Sequence, residues 1–154
     1  MGKPSIRMKV IGKRKLRSQL KEMSDDLRLD LAKNMRAVMP AMEKDAIKRI
    51  DTGVRTGRKY TKSDGSEGVR SAPGEFPKTD TGDLVDSFSK KVLVRKNKVI
   101  GVLQNHSDHA FDLEFSPLYK GGRPFMRPLY HAWQELLRVK FQTVIQRSVR
   151  GNGK

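Results

Sequence analysis

Leu16, Leu20, Met23, Leu27, Leu31, Met35, Val38 and Met42 follow one another at spacings of three or four residues, and Ala46, Ile47 and Ile50 continue the series. A period near 3.6 puts such residues on one stripe of a helix, so this stretch must form an amphipathic rod with its stripe laid on other structure. The rod is one piece or two. Ser24, Asp25 and Asp26 offer side-chain oxygens to the free N–H groups of a new first turn, and Pro40 is expected to kink any helix running through it. The pattern stops near Asp51-Thr52-Gly53.

Strand patterns stand on both sides of that helix in the sequence. Ile6, Met8 and Val10 alternate with Arg7 and Lys9 and end at Gly12, which reads as a short strand. Phe88 to Val94 and Val99 to Leu103 are apolar runs joined by the polar turn Arg95-Lys96-Asn97-Lys98, a hairpin pattern. Thr79 or Asp80 is placed to cap a helical turn at Thr81 to Ser87 just before it. Ala110 to Phe115 alternates Phe111, Leu113 and Phe115 with Asp112 and Glu114, and predicts a further strand. Pro124 and Pro128 stiffen the backbone on both sides of Phe125, and Pro128 suits the first turn of a helix. Leu129, Trp133, Leu136, Leu137, Phe141, Val144 and Ile145 then give that helix an apolar face down to about Val149, with Trp133 expected in the core. No linker divides the chain, which reads as one domain over 1–154. Residues 151–154 are expected to form a flexible tail.

Residues 51–79 are rich in Gly, Ser, Pro, Lys and Arg and show little periodicity. So long a loop is uncommon in a compact domain. One reading is a disordered surface excursion. The other is an arm that orders on assembly, with Arg55, Arg58, Tyr60, Arg70 and Phe76 as anchors, because arginine and aromatic side chains are enriched where interfaces gain energy. Phe125 is open in the same way, filling the core of its own chain or inserting into the next subunit.

Hydrophobic residues make up 36% of the chain and charged residues 32%, so core-building material is limited and some stability is expected from neighbours. The formal net charge of +16 favours contact with polyanions or acidic protein surfaces. Lys3 to Lys21, Lys90 to Lys98 and Arg138 to Lys154 hold most of the basic residues. The absence of cysteine excludes disulfides and thiolate metal sites. The apolar runs are short and Met1-Gly2-Lys3-Pro4 lacks the core of a signal peptide, so a soluble intracellular protein with no membrane partner is expected.

No catalytic constellation stands out. His106, Asp108, His109 and Glu114 carry ligand-type atoms, but the spacing fits polar residues of a connecting turn, and no metal or cofactor is assigned. Asp80, Asp83 and Asp86 fall near one helical face, where carboxylates complement the positive end of a helix. Ser71, Ser87 and Ser89 lack a nucleophile elbow, and Asp64-Gly65-Ser66-Glu67-Gly68 lacks the spacing of a phosphate-binding loop.

Four motifs in fixed order carry a resemblance. Thr81, Gly82, Leu84 and Ser87 form a Thr-Gly-x-Leu-x-x-Ser turn. Phe111, Glu114 and Phe115 follow an aromatic-x-x-Glu-Phe pattern, and Pro124, Phe125 and Pro128 make a Pro-Phe-x-x-Pro turn. Upstream stands Ser71-Ala72-Pro73-Gly74-Glu75. In this order they resemble the tail-completion, or head-tail joining, proteins of long-tailed double-stranded DNA phages, although Ser116-Pro117 stands where that family has Gly-Thr. The resemblance covers the last half of the chain well and the first half in outline. It implies an α+β fold, a small, twisted, mainly antiparallel sheet of three to four strands packed with a long N-terminal and a C-terminal helix, in a non-enzymatic structural subunit of the virion neck assembled in the host cytoplasm. Its homo-oligomeric ring, six copies as the first expectation and twelve as the second, would join portal-side connector and adaptor proteins to tail proteins and let DNA pass. The long loop and the C-terminal helix are the expected contact patches, and the basic blocks are expected to face acidic neighbours or the outer surface. The alternative is a basic nucleic-acid-binding protein without enzymatic activity, supported by the charge but by no reader motif. A metal-dependent nuclease built on the carboxylates between Asp80 and Glu114 together with His109 is the weakest reading.

Overall fold

The computed structural model describes residues 6–10, 25–62, 64–78, 82–96 and 98–151. The amphipathic series forms helix α1, Asp25–Thr52, with Asp25 and Asp26 in its first turn and Arg49 in its last, each sign matched to the helix dipole. Leu27, Leu31, Met35, Val38, Met42, Ala46 and Ile50 are buried, and Ala32 and Met39 join them. Leu16, Leu20, Met23 and the proposed cap Ser24 lie outside the described residues. Helix α1 continues through Pro40, which sits on its exposed side, where water can reach the carbonyl that loses a donor.

The stripe of α1 lies on a three-stranded sheet of β1 (Ile6–Val10), β4 (Phe88–Arg95) and β5 (Lys98–Asn105) in the order β1-β5-β4, with both pairings antiparallel. Val92 stands opposite Gly101 and Phe88 opposite Asn105, while Met8 stands opposite Leu103. Phe88, Val92, Val99 and Leu103 pack with Met35, Val38, Met39 and Met42 in the main core. Gly101 makes the close approach possible. A Cβ there would lie 2.5 Å from the sulfur of Met39 and 2.6 Å from that of Met35, so the methionines rest directly on the strand backbone. Lys90, also on this face, pairs with Glu43 of α1.

Two expectations need correction. Residues 51–79 contain structure within the single chain: β2 (Lys59–Thr61) and β3 (Glu67–Val69) form a two-stranded antiparallel sheet. The Gly-Ser-rich stretch between them is its turn. Ser66 donates its backbone N–H (2.9 Å) and its hydroxyl (2.6 Å) to the Asp64 carboxylate, and Gly65 takes a φ of 81°. Ala110 to Phe115 is a helix, α3 (Ala110–Phe115), and not a strand. Its alternating sequence satisfies either period. What decides is that Ala110 and Glu114, four apart, are both buried, while Phe111 and Phe115 share the outer side. The sheet therefore stops at three strands among the described residues.

Helix α2 (Asp83–Asp86) leads into β4, and a 3-10 turn at Leu118–Lys120 separates α3 from the last helix, α4 (Met126–Gly151). The proposed caps Thr79 and Asp80 lie outside the described residues, and Gly82, at φ 85°, holds the N-cap position of α2. Helix α4 carries Leu129 and Leu137 into the main core. Further along, Phe141, Val144 and Ile145 pack on Leu27 and Leu31 of α1. Phe125 is fully buried, its ring edge-on to Phe88 at 6.2 Å, so it fills the core of its own chain. No described helix is long and apolar enough to cross a membrane.

Candidate functional site

Glu114 organises the corner where α3 meets α4. Its side chain is buried, and its carboxylate accepts the backbone N–H groups of Phe125 (2.8 Å), Met126 (2.9 Å) and Arg127 (3.1 Å). These donors open α4 and have no partner within the helix. A carboxylate supplied from eleven residues upstream thus caps the helix, favoured by the positive end of its dipole, with the Arg127 guanidinium 4.0 Å away. Pro124 fixes the approach to this corner, and Pro128 stands in the first turn, where it removes no helical hydrogen bond.

The hairpin end beside it is tied just as firmly. Asn105, fully buried, donates its side-chain N–H to the Leu84 carbonyl (2.6 Å) and accepts the backbone N–H of Ser107. The Ser107 hydroxyl reaches the Asp83 carboxylate at 2.6 Å, and His106 donates its backbone N–H to Ser87. Ser89 and His106 are in hydrogen-bond contact at 2.8 Å on the exposed side. Sequence reasoning saw a capping turn in Gly82, Leu84 and Ser87 but missed Asn105, which joins it to the strand; Thr81 and Asp80 lie outside the described residues.

On this rigid base, residues 111–119 carry four exposed apolar side chains: Phe111 (47%), Phe115 (53%), Leu118 (55%) and Tyr119 (85%). Phe111 and Phe115 stack with ring centroids 4.9 Å apart. Lone exposed apolar residues are ordinary, but four within nine positions form an unusual apolar patch. The aromatic-x-x-Glu-Phe motif is thereby split by direction, its Glu turned into the protein and its aromatics turned out. Leu118 and Tyr119 were missed in the sequence, where only the four-residue spacing of Phe111 and Phe115 hinted at a helix.

Four of the five anchors proposed for the arm, Arg55, Tyr60, Arg70 and Phe76, make contacts within the chain. Arg55 donates to the carbonyls of Ile50 and Asp51 at the end of α1. The Arg70 guanidinium lies 5.0 Å from the Tyr60 ring, and that of Arg49 lies 5.6 Å from Phe76. Arg58 is exposed. The arm is clipped by Glu75, which accepts the Thr56 hydroxyl (2.6 Å), the Thr56 N–H (3.1 Å) and the Ala72 N–H (2.7 Å). The hydrogen bond from the Thr56 hydroxyl, seconded by the Ala72 amide, holds the Glu75 carboxyl below its ordinary value. Arg123 ties the arm to the corner by donating to the Ser71 carbonyl at 2.8 Å.

Trp133 is half-buried and donates its indole N–H to Asp45 of α1 at 2.8 Å. Burial pushes the Asp45 carboxyl up, but bonds from Arg49 and Trp133, with the charges of Arg49 and Lys48, outweigh it and leave the carboxyl below its ordinary value. No group of three or more His, Asp or Glu side chains converges to hold a metal ion among the described residues.

These elements define an α+β protein whose most distinctive surface is an aromatic segment set on a tightly hydrogen-bonded corner. No family model, curated protein or solved structure matches the chain.

Proposed function

We propose that the chain is a structural subunit of the head-tail joining type, forming a ring in the neck of a long-tailed phage particle between portal-side connectors and the tail. The exposed Phe111–Phe115 pair and its neighbours Leu118 and Tyr119 carry this reading. A closed ring needs a head-to-tail interface in which two different patches of one subunit meet, and large apolar side chains on a rigid base are the type of anchor such interfaces use. The ordered series of motifs from Ser71 to Pro128 adds the resemblance to tail-completion proteins. On this reading the chain is no enzyme, and its localisation is the virion.

Native mass spectrometry with electron microscopy of the purified protein tests the proposal. Closed rings of one stoichiometry, six or twelve copies, are the expected result. A permanently solitary chain that turns over a substrate would overturn it.

The net charge of +16, with Lys91, Arg95, Lys96 and Lys98 exposed along β4 and the hairpin tip, favours one second reading, a nucleic-acid-binding protein. Tight, sequence-independent binding of the isolated subunit to random duplex, with a steep dependence on salt, would select it over the ring.

A further inference from the structure

Although the chain is strongly basic, its charges are sorted along the β4–β5 hairpin. Residues 82–89 and 99–119 hold Asp83, Asp86, Asp108, Asp112 and Glu114 and not one lysine or arginine. In space the acidic residues gather at one end, where they outnumber the nearby Lys120, Arg123 and Arg127. Phe88 and Asn105 pair where the hairpin opens, α2 is tied there through Asn105 and Ser107, and α3 follows directly with the exposed aromatics. At the other end Arg95 pairs with Lys98 at the hairpin tip, beside Lys96, whose carbonyl accepts a hydrogen bond from Arg28 at 3.2 Å. The second core cluster places the last third of α4 near the same tip, since Leu27 and Leu31 pack with Val99 as well as with Phe141, Val144 and Ile145. That part of α4 adds Lys140 and Arg147, so that with Arg28 the basic residues at this end outnumber Asp25, Asp26 and Asp30 of the first turns of α1. Eight-residue strands set the two ends about 24 Å apart.

We infer that the aromatic segment 111–119, with the acidic side chains around it, docks on the basic hairpin tip of a second copy of this chain. The inference rests on the ring reading above and names the two patches that reading requires. Charge complementarity selects the occupant. Asp112 is exposed within the aromatic segment and Asp86 on α2 at the same end, and Arg95, Lys96 and Lys98 are exposed at the far tip, so the excess charge at the two ends is opposite and favours contact between unlike ends of identical subunits. The apolar side chains of residues 111–119 supply the area, while the charges fix orientation. Unlike patches at opposite ends of a subunit make a heterologous contact, the type that closes into a ring when each step turns by a fixed angle. The sequence reading placed the patches on the long loop and the C-terminal helix. Here Arg55, Tyr60, Arg70 and Phe76 of the loop make contacts within the chain, and the inference assigns the hairpin tip as a patch instead.

Two charge-reversed proteins test this. One carries Asp86→Lys with Asp112→Lys, the other Lys96→Glu with Lys98→Glu. All four positions are exposed, and unchanged circular dichroism and melting verify that each variant folds. In sedimentation velocity the concentration needed for assembly should rise about tenfold or more for either variant alone. An equimolar mixture should assemble again, because each variant now has two like ends that match those of the other. A ring that forms unaltered in both variants, or a mixture that fails where wild type assembles, overturns the docking inference and leaves the ring reading standing. A wild-type chain that stays solitary at every concentration overturns both.

Discussion

Two carboxylates in this molecule do the same chemistry in different surroundings. Glu114 and Glu75 each collect three hydrogen bonds, Glu114 from amides eleven to thirteen residues on and Glu75 from Thr56, nineteen residues back, and from nearby Ala72. Glu114 is buried at the start of α4, beside the main core through Phe125, whereas Glu75 clips the arm at the surface. Water can replace the partners of Glu75 if they are lost but cannot reach those of Glu114. The comparison teaches that the number of hydrogen bonds does not set their worth. What sets it is whether the groups left behind can be hydrated.

Glu114→Ala tests the comparison most severely. It strands buried N–H groups and leaves a void beside Phe125, and a loss of about 3–5 kcal/mol is expected in urea denaturation, enough to unfold a marginal domain. A loss no larger than that of an exposed carboxylate would break the contrast.

Trp133→Phe sharpens it at an intermediate depth. The ring volume is largely kept, but Asp45 loses its indole donor while keeping Arg49. A loss of about 1 kcal/mol is expected by the same measurement.

Glu75→Gln should have the smallest effect on global stability, with the melting midpoint nearly unchanged. Hydrogen exchange at the Thr56 and Ala72 amides should quicken, because the charge that strengthens their bonds is gone. Acid should mimic the substitution. The Glu75 carboxyl is held below its ordinary value in the folded chain, so its contribution is present above the unfolded carboxylate range and disappears as pH falls through the lower, folded value. Protection factors of these two amides, corrected for the intrinsic pH dependence of exchange and followed from pH 6 to pH 3, should fall as the Glu75 carboxyl protonates.

The sequence disclosed what its periodicity could carry. Helix α1 from Asp25 to Thr52 and the hairpin around Lys96 were legible because long apolar patterns leave one period standing. Ala110 to Phe115 was misread because six residues do not separate a period of two from one of 3.6, and burial of Glu114 beside Ala110 decided the matter in three dimensions. The small sheet at Lys59–Thr61 and Glu67–Val69 was hidden by strands of three mostly polar residues, although Asp64-Gly65 is a recognised hairpin turn signal. The candidate surface was half legible. Phe111 and Phe115 were noticed as a motif, but their exposure depends on the turn of α3, and the capping role of Glu114 depends on N–H groups that come near only after the chain folds back.

The position of β4 has one more consequence. It lies at the rim of the sheet, so one side of an eight-residue ribbon has no strand beside it among the described residues. An open rim of that length invites other chains to zip onto it and precipitate. The ammonium group of Lys91 and the guanidinium of Arg95, both exposed along this rim, keep two such edges apart electrostatically, so a concentrated stock should stay clear in dilute buffer and cloud as added salt screens them.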